Sequence, residues 1–153
     1  MKYLYFFLLL FNFNLLSAKA KPAVVYQYMA KIKYHISANE LVVENQYTHK
    51  IERVVIIATR TAKNYCIDQE AKKFIASRYI DAPTPYMVIT SYGHEKYGRV
   101  LGDIVGNDRC SRLSYDLIAH GYVYWYPGFD PTDETAKQLS YWAKQHNNGL
   151  YRR

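Results

Sequence analysis

Two stretches of this 153-residue chain concentrate side chains able to do chemistry. His94-Glu95-Lys96-Tyr97-Gly98-Arg99 gathers an imidazole, a carboxylate, a phenol and a guanidinium around one glycine. Tyr122-Val123-Tyr124-Trp125-Tyr126 sets aromatic rings on both sides of an extended segment. An imidazole offers a proton acceptor or donor near neutral pH, a role open to His94 and equally to His49, although histidines in turns are more often simply solvated. Rings on an open segment stack on nucleic-acid bases at about 1–3 kcal/mol per base, whatever the sequence. In a folded strand, half of such rings face the core instead. Cys66 and Cys110 are the only cysteines, and they read either as one disulfide, with about 4 kcal/mol of loop-closure stabilisation, or as two separate thiols.

The elements that position these residues follow from periodicity. From Val24 to Ile36 the chain alternates, with Tyr28, Ala30, Ile32, Tyr34 and Ile36 on one face and Gln27, Lys31, Lys33 and His35 on the other, which predicts a half-buried strand. Leu41-Val42-Val43 and Glu52–Ala58 predict two more, giving a three-strand meander. Asp68 is a candidate N-cap for a helix striped by Ala71, Phe74, Ile75 and Tyr79 and ending before Pro83 and Pro85. Strands at Met87–Thr90 and Val100–Val105 flank the Tyr97-Gly98-Arg99 turn. Ser111 then caps a helix through Leu113, Leu117 and Ile118 that ends at Gly121. Asp133 opens a last helix with Ala136, Leu139, Trp142 and Ala143, closed by Gly149. The order of three strands, helix, two strands and two helices is α+β.

Residues 1–20 read as a secretory signal: Lys2, an apolar run from Leu4 to Leu16, then Ser17-Ala18-Lys19-Ala20, with cleavage before Lys21. The run is short for a bilayer span and is interrupted by Asn12 and Asn14, so no stable membrane insertion is expected after cleavage. The domain is then 21–153, secreted or periplasmic. The full chain carries a formal net charge of +7, and removal of the leader takes away only Lys2 and Lys19, so the exported part stays basic. A basic surface suggests a polyanionic partner without choosing among nucleic acid, anionic lipid and cell-wall polymer.

In order and spacing, Glu95-Lys96-Tyr97-Gly98-Arg99-Val100-Leu101-Gly102-Asp103-Ile104, Leu117-Ile118-Ala119-His120-Gly121-Tyr122 and Gly149-Leu150-Tyr151 resemble the second half of staphylococcal-nuclease-like (thermonuclease family) domains. The resemblance implies a five-stranded OB-fold β-barrel with three helices. It also implies two phosphate-binding arginines: Arg53, which opens the apolar run Val54-Val55-Ile56-Ile57, and Arg99 of the Tyr-Gly-Arg turn. An arginine fork can hold two oxygens of one phosphate, which lysine cannot reproduce. Tyr97 and Tyr126 are the candidate substrate-contacting rings.

The family's metal-binding half is different here. Its Asp-Gly-Asp-Thr motif corresponds to Ser37-Ala38-Asn39-Glu40, and its Asp-x-Pro-Glu motif to Ala58-Thr59-Arg60-Thr61. Calcium is the family ion, and it needs several oxygen ligands that normally include carboxylates. No cofactor is therefore expected. Glu40 and Glu95 are the candidate replacement catalytic acids beside Arg53 and Arg99. Glu40 alternates onto the strand face opposite Asn39 unless a slip or bulge turns it. The expected function is binding of single-stranded DNA or RNA phosphodiesters with weak or absent hydrolysis. The alternatives are an active nuclease with a rearranged site and a non-catalytic module binding a protein or the cell envelope.

Overall fold

The alternation that begins at Val24 folds into one long strand, β1 (Tyr26–Ser37), which serves two neighbours. Its first half pairs antiparallel with β5 (Tyr86–His94), and its second half with β2 (Glu40–Asn45). The computed structural model describes residues 22–82, 86–106 and 111–153; the leader and its cleavage point, Pro83, Pro85 and Cys110 lie outside the described residues. β2 continues antiparallel into β3 (Ile51–Ile56), β5 pairs antiparallel with β6 (Val100–Val105), and β3 meets β6 in parallel, closing a barrel in the order β1-β2-β3-β6-β5. With three helices around it, this is the α+β, OB-fold-like architecture.

Closure requires β1 to coil, and the register shifts between Ile32 and Tyr34 and again between His35 and Ser37. Such bulges bend a strand and re-aim its side chains. Tyr28, Ala30 and Ile32 point into the core, but Tyr34 and Ile36 are 55% and 38% exposed, which corrects their expected place on the buried face. The barrel is filled by Leu41, Val43, Val54, Ile56, Ile89, Val100 and Ile104 from the other strands.

A short ribbon lies outside the barrel: β4 (Thr59–Arg60) pairs antiparallel with β7 (Tyr124–Trp125), so the aromatic segment becomes half of a two-stranded sheet. The first helix, α1 (Tyr65–Ile75), runs into a wider helical turn over Ala76–Ile80, and it starts earlier than expected. Asn64 is its N-cap, accepting from the Ile67 N–H, whereas Asp68 accepts from the Ala38 N–H at 2.7 Å and so ties α1 to the end of β1. Ala71, Ile75 and Tyr79 are buried beneath this helix, and the Tyr79 hydroxyl donates to Asp116 at 2.6 Å.

The second helix, α2 (Leu113–Ala119), is not capped by Ser111. Asp103, from β6, accepts instead from the Ser114 N–H at 3.1 Å, so a carboxylate from the barrel satisfies a free donor of the helix start. The third helix, α3 (Glu134–Gln145), has the expected Asp133 cap on the Ala136 N–H at 3.0 Å. It ends ahead of Gly149, at His146, where Asn147 takes the positive φ of 53°. Trp142 does not join the buried stripe of α3 but stacks on His146 at 46% exposure.

Candidate functional site

The parallel seam decides where the arginines go. Val54 pairs with Val100, so Arg53 and Arg99, each one residue earlier, stand side by side at the same end of the barrel. In the β2–β3 hairpin Glu40 pairs with Val55 and Val42 with Arg53, which puts Glu40 diagonally across from Arg53 on one sheet face. That face is the outer one, since Leu41, Val43, Val54 and Ile56 fill the inside. Glu40 does lie opposite the core face, as strand alternation requires, and this is the face that carries the arginines.

Glu40 bridges them. Arg53 Nε donates to Glu40 Oε1 at 2.8 Å, Arg53 Nη2 donates to the same oxygen, and Arg99 Nη1 donates to Oε2 at 3.2 Å. Arg99 Nε donates to Glu95 Oε1 at 2.9 Å, and the Tyr97 N–H donates to that oxygen at 3.0 Å. The turn that sets this geometry passes through Gly98 at φ +79°, a conformation that costs a residue with a Cβ about 1–2 kcal/mol. The hydrogen bond from Arg99 holds the Glu95 carboxyl below the ordinary glutamate range, and Glu95, with Glu40, raises the Arg99 guanidinium further above its own.

These residues border a cleft of about 550 Å³ lined by Glu52, Arg53, His94, Tyr97 and Arg99, with Ile51 and Val100. Tyr97 is 71% exposed at its mouth, with Lys96 Nζ 4.7 Å from the ring centroid. Of the expected site residues, Arg53, Arg99, Glu40, Glu95 and Tyr97 are brought together, and His94 joins them. His49 sits in the β2–β3 turn beside Glu44 and does not line the cleft. Tyr126 is also elsewhere. Its ring lies under Arg60, 3.9 Å from the guanidinium carbon, and against Gly128, where a Cβ would come within 2.3 Å of the phenol.

The segments expected to differ from a metal site, at the end of β1 and after β3, form a chain of neutral groups. Ser37 Oγ donates to Asn39 Oδ1 at 3.2 Å, Asn39 Nδ2 donates to Thr59 Oγ1 at 3.3 Å, and Thr59 Oγ1 donates to the Ile56 carbonyl at 2.7 Å. Ala58 follows in the left-handed region at φ 56°. Among the described residues, no group of three or more His, Cys, Asp or Glu side chains could hold a metal ion. An amide and two hydroxyls already bonded to one another do not fit a hard divalent cation, which takes six to eight oxygen ligands in the case of calcium.

Sequence reasoning missed a second charged cluster. Asp103 is fully buried and accepts from Ser114 Oγ at 2.7 Å and from Arg112 Nε at 3.0 Å; Arg112 Nη1 reaches the Tyr115 hydroxyl at 3.1 Å, which in turn donates to Asp133. Burial pushes the Asp103 carboxyl up, and Arg112 and Ser114 pull it back. The signal was present: an aspartate inside the otherwise uncharged strand Val100–Val105. This network joins β6, α2 and the start of α3, and its role is to lock the helices on the barrel. Cys66 is exposed near the start of α1. Neither a protein-family model nor a curated protein matches this chain.

Proposed function

We propose that this is an exported barrel of the staphylococcal-nuclease type that binds single-stranded nucleic acid through Arg53 and Arg99 and hydrolyses it weakly or not at all. One observation carries this reading. Two guanidinium groups are held side by side at the spacing that lets one two-oxygen anion, the Glu40 carboxylate, bond both at once. A phosphodiester also presents two anionic oxygens, and it engages the outward edges of the same pair or displaces Glu40 from it. The leader pattern of residues 1–20 supports export to the periplasm or the medium.

Weak hydrolysis follows from how the acids are used. Cleavage needs a group to take a proton from water and a counter-charge for the phosphoryl oxygens. Both oxygens of Glu40 accept from arginine, and Glu95 Oε1 accepts from Arg99 and from the backbone, so each carboxylate is already committed as a partner. Loss of a single preorganised electrostatic group commonly costs roughly a hundred- to a thousand-fold in rate. Fluorescence anisotropy with labelled single-stranded DNA and RNA, with and without chelator, tests the reading. Binding should weaken with salt, survive chelation and fall in the Arg53→Ala, Arg99→Ala double variant. Unchanged affinity in that variant would sink it. Release of acid-soluble nucleotides with calcium, magnesium or manganese, abolished by Arg99→Ala, would establish the active nuclease instead.

A second reading is favoured by the same contacts. Three glutamates, Glu40, Glu52 and Glu95, stand against two arginines at the cleft, which suits a protein-binding or envelope-binding module that has given up the nucleotide. Absence of nucleic-acid binding at low salt would select it.

A further inference from the structure

We infer that the β4–β7 ribbon, together with the end of α3 and the C-terminal turn, forms a second contact surface for single-stranded nucleic acid, in which Arg60 and Lys144 meet phosphates and Tyr124, backed by Tyr151, meets a base. The inference rests on the nucleic-acid reading above and adds to it where the strand runs. Its basis is a contiguous strip. Arg60 pairs across the ribbon with Tyr124, so both project from one face, and Tyr126, two residues on, projects from that face as well. Arg60 lies over the Tyr126 ring at 3.9 Å. Tyr124 meets Tyr151 edge to face at 5.9 Å between centroids, and Lys144 Nζ lies 5.6 Å from the Tyr151 ring. The opposite ribbon face is closed off: Thr59 and Val123 are buried.

Charge separates this strip from the arginine cleft. Arg53 and Arg99 are bonded to carboxylates, whereas Arg60 and Lys144 are exposed and lie over tyrosine rings. A cation stacked on a ring keeps its full charge and its outward donors, and two such cations with rings between them match a chain that alternates anionic phosphates with flat bases. Tyr124 is 40% exposed and supplies ring surface that Tyr126, packed against Arg60 and Gly128, does not. A purely anionic polymer would use the cations and leave the rings idle, which makes the bases the distinguishing element.

The test is anisotropy titration of the folded protein with three probes: a labelled oligothymidylate of about 12 nucleotides, within the site sizes of single barrels, its abasic counterpart, and heparin as competitor. Arg60→Ala with Lys144→Ala should weaken oligothymidylate binding roughly tenfold and make the salt slope shallower by about 1.4, two phosphate contacts at about 0.7 each. Tyr124→Thr, which keeps a strand-forming residue, should reduce the preference for the oligothymidylate over the abasic strand by about fivefold or more. Loss of binding in Arg53→Ala, Arg99→Ala with none in Arg60→Ala, Lys144→Ala would overturn the strip and leave the cleft reading standing. The reverse pattern would support the strip and overturn the cleft. Equal affinity for base-bearing and abasic strands, with heparin competing as well, would overturn nucleic acid as the occupant, and no binding of either strand by the unaltered protein would overturn both.

Discussion

If the arginine cleft binds nucleic acid as proposed, replacing Glu40 with glutamine should tighten that binding, although Glu40 sits between the two arginines. The substitution keeps the size of the side chain and removes the charge that neutralises the arginine pair. A unit charge about 6 Å from an incoming phosphate contributes about 3 kcal/mol of repulsion at an effective dielectric constant of 20. Salt screening and solvent reduce that figure, because the Arg53 side chain is 54% exposed even though that of Glu40 is only 12% exposed. A gain of about 1.4 kcal/mol, tenfold in affinity, is the expected remainder. The same change costs stability. With Glu40 mostly covered and Arg53 half in solvent, the loss falls between that of a surface pair and a buried one, about 1–2 kcal/mol. Anisotropy titrations of wild type and Glu40→Gln at two salt concentrations, beside thermal melts of both, read the two effects together. A folded Glu40→Gln variant that binds no tighter than wild type would refute the idea that Glu40 and the phosphate compete for the same donors.

The Glu95 carboxyl should titrate below the ordinary glutamate range in an NMR pH series and move back toward it in Arg99→Ala. Because its folded value is depressed, the link stabilises the fold above the unfolded glutamate pKa of about 4.3 and is lost as pH falls through the folded value, so Glu95→Gln should flatten that part of the acid-stability curve. Asp103→Asn leaves Arg112 in a half-buried site without its counter-charge and should cost about 3–5 kcal/mol, measurable by denaturant titration with an unchanged m-value. Gly98→Ala should cost about 1 kcal/mol or more through the positive φ and, by shifting Arg99, weaken oligonucleotide binding further than it lowers the melting temperature.

The order of the strands is legible in the chain because they are patterned by alternation, which survives without tertiary information, whereas their closure into a barrel was an expectation from the family resemblance alone. What alternation cannot show is where it breaks. Tyr34 and Ile36 continue the apolar face in sequence and leave it in space, because the bulges of β1 arise from closing the barrel. Caps show the same division. Asp133 is a local cap and readable as one, whereas the start of α2 is served by Asp103 from the preceding strand, a contact set by how the helix docks on the barrel and not by the residues at its start. At the site, the family resemblance singled out Arg53 and Arg99, with Glu40 and Glu95 as nearby acids, but their pairing depends on a parallel seam between segments far apart in the chain, which no local pattern encodes. Tyr126 was separated from the cleft by a ribbon whose other strand is only two residues long, too short to leave a periodic signal.

The Arg99–Glu40 bond joins residues 59 apart in sequence, across the seam at which the barrel shuts. Loop closure of that length is the slow, entropically uphill part of folding such a topology, so the clasp forms when the last edges meet and opens when they part. Amide exchange at the seam, from Val54, Ile56 and the strand beginning at Val100, should therefore report on Glu40 as well as on unfolding. A ligand that draws the arginines away from Glu40 would take over the holding of the seam, making occupancy of the cleft and protection of those amides rise together.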